Sequence, residues 1–318
     1  MGRGSFGSRS SHARIRCHAA PPPGGAQPSC EDNDATLLVV PELPEVESVR
    51  RQLAPRLVGR RIVGVWRDPH PSARFHAVDR LLGRRVDAVH RRGKFLVLPL
   101  DAPPGGDLLE LVLHLGMTGS LRVLDPVAAT ATERLTHVRA SLHLDDGAEL
   151  AFRDPRRFGR FSVVEAGRYD GVIPTLAHMG PEPLSPAFTP AGLAAGLAAS
   201  SAPVKARLLD QRLVAGVGNI YADESLWRAR IHPASRRVGA RRAGVLHGTL
   251  VAVLTAAIER EGTTFRDYQM VNGQSGRYAE QLDAYGQHGR PCRRCGTTLR
   301  RTVIAQRGTS YCPQCQRV

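Results

Sequence analysis

Pro41-Glu42-Leu43-Pro44-Glu45-Val46-Glu47-Ser48-Val49-Arg50-Arg51-Gln52-Leu53 is where the chain first acquires a structural period. Val46, Val49 and Leu53 recur at i, i+3 and i+7, and Leu57 follows at i+11. Pro44 suits a first helical position, and Glu45 and Glu47 favour the positive end of the helix dipole. The spacing predicts an amphipathic helix with one buried face. Downstream the period falls to two. Leu109, Leu111, Leu113 and Leu115 alternate with Glu110, Val112 and His114, and Val138, Ala140, Leu142 and Leu144 alternate with His137, Arg139, Ser141 and His143. This is the pattern of a sheet with one buried face. Further short strands are expected at residues 61–66, 86–91, 94–100, 149–153 and 160–164, and many short antiparallel strands imply a sandwich. After Gly180-Pro181-Glu182-Pro183 and Ser185-Pro186 the period moves toward 3.6. Leu246, Leu250, Val253, Leu254, Ala257 and Ile258 mark a long helix stopped by Gly262, with shorter helices at 191–199, 204–210 and 220–229. The fold class is therefore α+β: a β-sandwich domain with a flanking helix over 41–170, a helical domain over 186–285, and a cysteine-bearing finger over 286–318.

Upstream of Pro41 the composition is different. Residues 1–39 consist largely of Gly, Ser, Arg, Ala and Pro, without helical or strand period, and read as a disordered extension. The apolar run at 37–40 is too short for a secretory signal. An organelle transit peptide fits the Arg- and Ser-rich opening, but a translation start placed too far upstream fits it better. The extension has four arginines against three acids, a net of +1, so +14 of the total +15 belongs to the rest of the chain. Such a surplus points to a polyanionic partner. With 42% hydrophobic residues and no continuous apolar run near the roughly 18 of a membrane span, the 318 residues read as a soluble globular protein, neither membrane-embedded nor wholly disordered. Six cysteines are too few for a disulfide scaffold and suit a reducing compartment.

Four of those cysteines form Cys292-x2-Cys295 and Cys312-x2-Cys315, sixteen residues apart. Two such knuckles can bring four thiolates to one tetrahedral zinc and leave no open coordination position, so the expected metal is structural; free thiols or two disulfides are the alternative. Between the knuckles, Arg300, Arg301 and Arg307 could present charge to phosphates. Gly216-Val217-Gly218-Asn219 enters a helix, where backbone N–H groups and Asn219 can hold an anion or simply make a tight turn. Asp154-Pro155-Arg156-Arg157-Phe158-Gly159 sets an aromatic beside arginines in a turn, suited to entering a base stack or equally to a solvated pair beside a core Phe. His114-Leu115-Gly116-Met117-Thr118-Gly119 offers a second such turn, with Met117 otherwise read as core filler.

Taken together, residues 41–53, Arg91-Arg92-Gly93-Lys94, 114–120, 154–159, 216–224 and the four-cysteine finger resemble the formamidopyrimidine-DNA glycosylase/endonuclease VIII family across 41–318. The resemblance implies a helix-two-turn-helix in the helical domain, one structural zinc, and base-excision repair of oxidised purines, 8-oxoguanine and formamidopyrimidines, in double-stranded DNA. It implies a bifunctional glycosylase and AP lyase, acting as a monomer away from membranes, in a bacterial cytoplasm at the nucleoid. By family pattern Pro41 would attack C1′ as an N-terminal secondary amine, with Glu42 as acid/base. Lys94 would contact phosphate, and Lys205 would act near the damaged base. Asn219 and Arg307 would grip the flanking phosphates, while Met117, Arg156 and Phe158 would fill the gap left by the flipped base. Gly276, Arg277 and Tyr278 would belong to the loop that caps it.

Two departures bear on this reading. Pro41 is internal, and an amide nitrogen with its lone pair delocalised into the carbonyl is no nucleophile. Val40 precedes it, and a GUG-type valine codon can initiate as a methionine that is then removed; a start at position 40 would leave 278 residues headed by Pro41. Arg277 stands where the family more often has an aromatic or small residue, which bears on lesion choice. An endonuclease VIII-like specificity for oxidised pyrimidines is disfavoured by Leu43 and by the 154–159 run, and a catalytically silent damaged-DNA-binding protein is the reading from another class.

Overall fold

The computed structural model describes residues 40–70, 72–126, 135–263, 271 and 277–318, so the expected disorder of 1–39 and the position of Gly276 lie outside the described residues. The first helix, α1 (Leu43–Leu57), buries Val46, Val49, Leu53 and Leu57, the face its period predicts. A capping interaction opens it, with Glu42 N donating to Glu45 Oε2 at 2.9 Å.

Two sheets follow. The four-stranded sheet has the order β1 (Ile62–Arg67), β7 (Val138–Leu144), β8 (Glu149–Arg153), β6 (Ser120–Leu124), antiparallel throughout. The five-stranded sheet runs β2 (Phe75–His76), β9 (Arg160–Glu165), β5 (Leu109–His114), β4 (Phe95–Leu100), β3 (His90–Arg92), antiparallel except where β2 joins β9. Leu109, Leu111 and Leu113 of one sheet share a core with Ala140, Leu142, Leu150 and Phe152 of the other and with the buried face of α1. The second face of β5 is not solvated, contrary to the alternation. Val112 is 0% exposed because Phe95, Val97, Val112 and Val164 form an outer cluster roofed by Ile173 and Leu176, around the short helix α2 (Pro174–Ala177). The strand expected at 86–91 is confined to its end, while Val86 makes only an isolated bridge to Leu100.

The proline-rich stretch after α2 is tied down: Glu182 takes ion pairs from Arg91 at 2.6 Å and Arg92 at 3.1 Å. Beyond it come α3 (Pro190–Ala198), capped by Thr189 Oγ1 accepting from Gly192 N, then α4 (Val204–Leu209), α5 (Asn219–Arg228) and α6 (Ala240–Glu259). On length and composition α6 could cross a membrane, but Leu246, Leu250, Val253, Leu254 and Ala257 are fully buried in the helical core. Gly262, at φ +79°, ends this region by donating to Ala257 O at 2.8 Å. The finger is the hairpin β10 (Arg300–Ile304) and β11 (Arg307–Tyr311), turning through Ala305 and Gln306, both left-handed.

Candidate active site

The start of α1 is docked on the loop that leads into α5. Leu43 N donates to Gly216 O at 3.1 Å, and Gly216, at φ +77°, comes so close that a Cβ there would lie 2.6 Å from Leu43 Cβ. This contact delivers the Glu42 carboxylate to the N-terminus of α5. Gly218 N donates to Oε2 at 2.7 Å, Ile220 N to Oε1 at 2.8 Å and Tyr221 N to Oε2 at 3.4 Å. A residue 176 positions upstream thus occupies the anion site of the helix end. Burial pushes the Glu42 carboxyl up to about 7 against the opposing pull of the Lys94 ammonium, and burial also pulls Lys94 below the usual lysine range. Behind Glu42 stands Glu45, whose Oε1 accepts from Tyr221 Oη and from Thr263 N, each at 2.6 Å. Glu45 therefore fixes the backbone of its neighbour.

Val40, Glu42, Lys94, Met117, Asn219 and Arg307 line one cavity of about 170 Å³. Pro41, buried between Val40 and Glu42, is bonded through its nitrogen to Val40. A second cavity of about 370 Å³ adjoins the first and shares Val40, Lys94 and Leu209 with it. Phe158 lines this second space, with the Arg156 guanidinium 4.8 Å from its ring centroid. The turns that carry Met117 and Phe158 are fastened together: Thr118 Oγ1 donates to Asp154 Oδ1 and Gly159 N to Asp154 Oδ2, each at 2.7 Å.

Lys205 has a different place. Its side chain is 0% exposed and lines neither cavity, and Nζ lies 2.6 Å from Asp223 Oδ1 and donates to Thr309 Oγ1 at 2.8 Å and Gly308 O at 3.3 Å. Asn219 Nδ2 donates to the same Gly308 carbonyl at 3.1 Å, and Ser310 N donates to Asp223 Oδ2 at 3.0 Å. These contacts seat β11 on α5 and set Arg307 at the cavity. Tyr278 is fully buried against Tyr221 in the helical core, whereas Arg277 is exposed. Asp223, Glu224 and Gln211, whose Oε1 accepts from Gly216 N at 2.9 Å, carry this arrangement and were not singled out by sequence, and Glu45 was read there only as a helix-dipole residue. Glu224 accepts from the backbone N–H groups of Asp283, Ala284 and Tyr285 and is pushed by burial up to about 7.

The four finger sulfurs lie within 4.8 Å of one another, and Cys295 Sγ is 3.5 Å from Cys312 Sγ. Zinc–sulfur bonds of about 2.3 Å require edges of about 3.8 Å in a tetrahedron, so Cys292, Cys295, Cys312 and Cys315 fit one zinc ion. All four ligands come from protein, which makes the site structural.

Three family models match the chain: the formamidopyrimidine-DNA glycosylase N-terminal domain over 40–161, the H2TH domain of the same glycosylase over 179–269, and the zinc finger found in FPG and IleRS over 289–318. Curated relatives include the formamidopyrimidine-DNA glycosylase of Deinococcus radiodurans, 44% identical over 286 residues, covering 87% of this chain and 97% of that protein. That of Thermus thermophilus is 46% identical over 282 residues, covering 87% and 98%. Among solved structures, the MutM (Fpg) protein of Thermus thermophilus superimposes with a TM-score of 0.78 at 45% identity, covering 87% of this chain and 98% of that one. A complex between Lactococcus lactis Fpg and DNA containing an abasic site gives 0.75 at 32% identity, covering 87% and 100%.

Proposed function

The chain belongs to the formamidopyrimidine-DNA glycosylase family, and from that premise we propose that it removes oxidised purines, 8-oxoguanine and formamidopyrimidines, from duplex DNA and cuts the strand at the resulting site. The observation that carries the reading is the first cavity, where Glu42, Lys94, Asn219 and Arg307 converge beside Pro41. In the proposed reaction the Pro41 nitrogen attacks C1′ of the flipped nucleotide and the glycosidic bond breaks with its electrons on the departing base, which takes up a proton. Opening of the sugar ring leaves an iminium, a cation that cannot be discharged by losing an N–H proton and so serves as an electron sink. Glu42 then takes the C2′ proton, the C3′–O bond breaks in β-elimination, and loss of the C4′ proton expels the second phosphate in δ-elimination. Lys94, Asn219 and Arg307 hold the flanking phosphates.

This chemistry requires the Pro41 nitrogen to be free of Val40. The N-terminal family model begins its match at residue 40, which supports Pro41 as the working amine. Borohydride trapping on an oligonucleotide containing 8-oxoguanine tests the reading. Protein beginning at Pro41 should become covalently linked to DNA, and protein with the Val40–Pro41 bond intact should bind without linkage. Absence of trapping by the Pro41 form would leave the damaged-DNA-binding protein as the better reading. Bacterial relatives that are DNA glycosylases support action on the chromosome inside the cell.

A further inference from the structure

The five-stranded sheet ends in a row of basic residues. The parallel register of β2 on β9 sets Phe75 beside Phe161, which brings Arg74 level with Arg160. Arg160 is the register partner of His114 at the end of β5, and His114 is the partner of Phe95, which follows Lys94 at the start of β4. With neighbouring strands about 4.8 Å apart, these residues form one line across the end of four adjacent strands. They border the 370 Å³ cavity, whose lining includes no carboxylate among the described residues.

On this line Lys94 is opposed by the Glu42 carboxylate, whereas the side chains of the two arginines donate only to neutral groups among the described residues. Arg160 is half-buried, and its Nη1 donates to the neutral Ser162 Oγ at 3.4 Å; Arg74 donates to the Phe158 carbonyl at 2.5 Å. Neither arginine has a carboxylate ion pair among the described residues. Burial and the neighbouring Arg74 hold Arg160 below the usual arginine range. His114 is pushed down to about 4, by burial first and then by Lys94, Arg160 and Arg74, so it stays neutral at physiological pH. The half-buried Arg160 guanidinium, with the exposed Arg74 guanidinium beside it, makes a strong site for an anion.

We propose that this row is a subsite for a backbone phosphodiester of the lesion-bearing DNA strand, beyond the phosphate assigned to Lys94, with Arg160 as its principal ligand. The inference rests on reading the first cavity as the lesion site. The two cavities share Val40, Lys94 and Leu209, so a strand leaving the first crosses the second, and the exposed Phe158 gives its sugar–base edge an apolar surface.

The test uses the 318-residue protein and a duplex carrying a tetrahydrofuran abasic analogue, followed by fluorescence anisotropy across a salt series. Arg160→Gln should weaken low-salt binding about tenfold and lower the log–log salt slope by about 1, while Arg160→Lys keeps the slope. Single methylphosphonates, which remove one phosphate charge at a time, should weaken the wild type at one position where Arg160→Gln loses nothing further. An unchanged slope in Arg160→Gln, with its circular dichroism and melting temperature intact, overturns the proposal. So does competition by inorganic phosphate that depends on Arg160 while every methylphosphonate is silent, since the site would then serve a free anion. Failure of the wild type to prefer lesion duplex over intact duplex would count against the lesion reading alone, because the Arg160 slope can be measured on either.

Discussion

Lys205 Nζ lies 2.6 Å from Asp223 Oδ1 with both side chains at most 1% exposed, and the pair serves the finger, not the cavity wall. Removing one partner leaves an uncompensated buried charge. Asp223→Asn should therefore cost about 3–5 kcal/mol in urea unfolding, whereas Lys205→Met combined with Asp223→Leu should cost less than either single substitution. Because Ser310 N also donates to Asp223, the finger strand should loosen in Asp223→Asn and DNA affinity should fall with it. Additive single and double losses would show that the two charges are not coupled.

The acid–base behaviour of Glu42 gives a signed pH dependence. Burial raises its carboxyl from 4.5 to about 7, with Lys94 opposing and Glu45 reinforcing the rise. A carboxyl raised on folding contributes stability that is present below its unfolded value and is lost as pH climbs through the folded one. Glu224, at about 7, and Asp223, at about 6, add in the same direction. Wild-type stability should decline between about pH 4.5 and 7, and Glu42→Gln should flatten part of that decline in melts across the range. In the proposed reaction Glu42 accepts the C2′ proton, so strand cleavage of abasic DNA by the Pro41 form should show an acid limb near pH 7, lost in Glu42→Gln; a profile indifferent to that substitution would assign the base elsewhere.

What was legible in the sequence follows the range of the interactions. The period at Val46, Val49, Leu53 and Leu57 and the cysteine spacing are local, and both appear in the structure as read. Val112 misled because α2 roofs the outer face of β5, a tertiary fact with no trace in the alternation. Two-residue β2 carries too little pattern to be read, and β6 begins with the polar Ser120, which hid its edge. The cap that Glu42 places on α5 joins residues 176 apart, and Asp223 sits in a helix where an acid ordinarily reads as solvated. Neither could be found from spacing alone.

Gly218 isolates the Glu42–α5 contact from everything else. Its φ of −126° is open to any residue, so alanine meets no backbone strain, but the added Cβ would lie 2.3 Å from Glu42 Cδ and 2.6 Å from Lys94 Nζ. Gly218→Ala must push the carboxylate and the ammonium apart from the helix end. Misplacement of catalytic groups by about 1 Å can cost about 100-fold in rate, so single-turnover cleavage by the Pro41 form should drop by that order while the fold persists. Full activity in Gly218→Ala would mean that the α5 cap is not needed for the chemistry.

Zinc removal can be followed from inside α5. Trp227 is 6% exposed and packs with Cys292, Leu299 and Cys312, and Arg294, between the cysteines of the first knuckle, stacks 4.2 Å over its ring. The other tryptophan, Trp66, is 44% exposed on β1, so Trp66→Phe leaves Trp227 as the reporter. Folding of such a finger is coupled to its metal, and a chelator should expose Trp227 and shift its emission to the red. The helical core of α3, α5 and α6 is a separate cluster from the finger, so the far-ultraviolet helical signal should persist. Its melting temperature should nevertheless fall, because α5 loses the contacts that Asp223 and Trp227 make with the finger. Cys312→Ser should reproduce both changes, and re-addition of zinc should reverse them in the parent but not in Cys312→Ser. Emission that ignores the chelator would separate the finger's metal from the α5 interface.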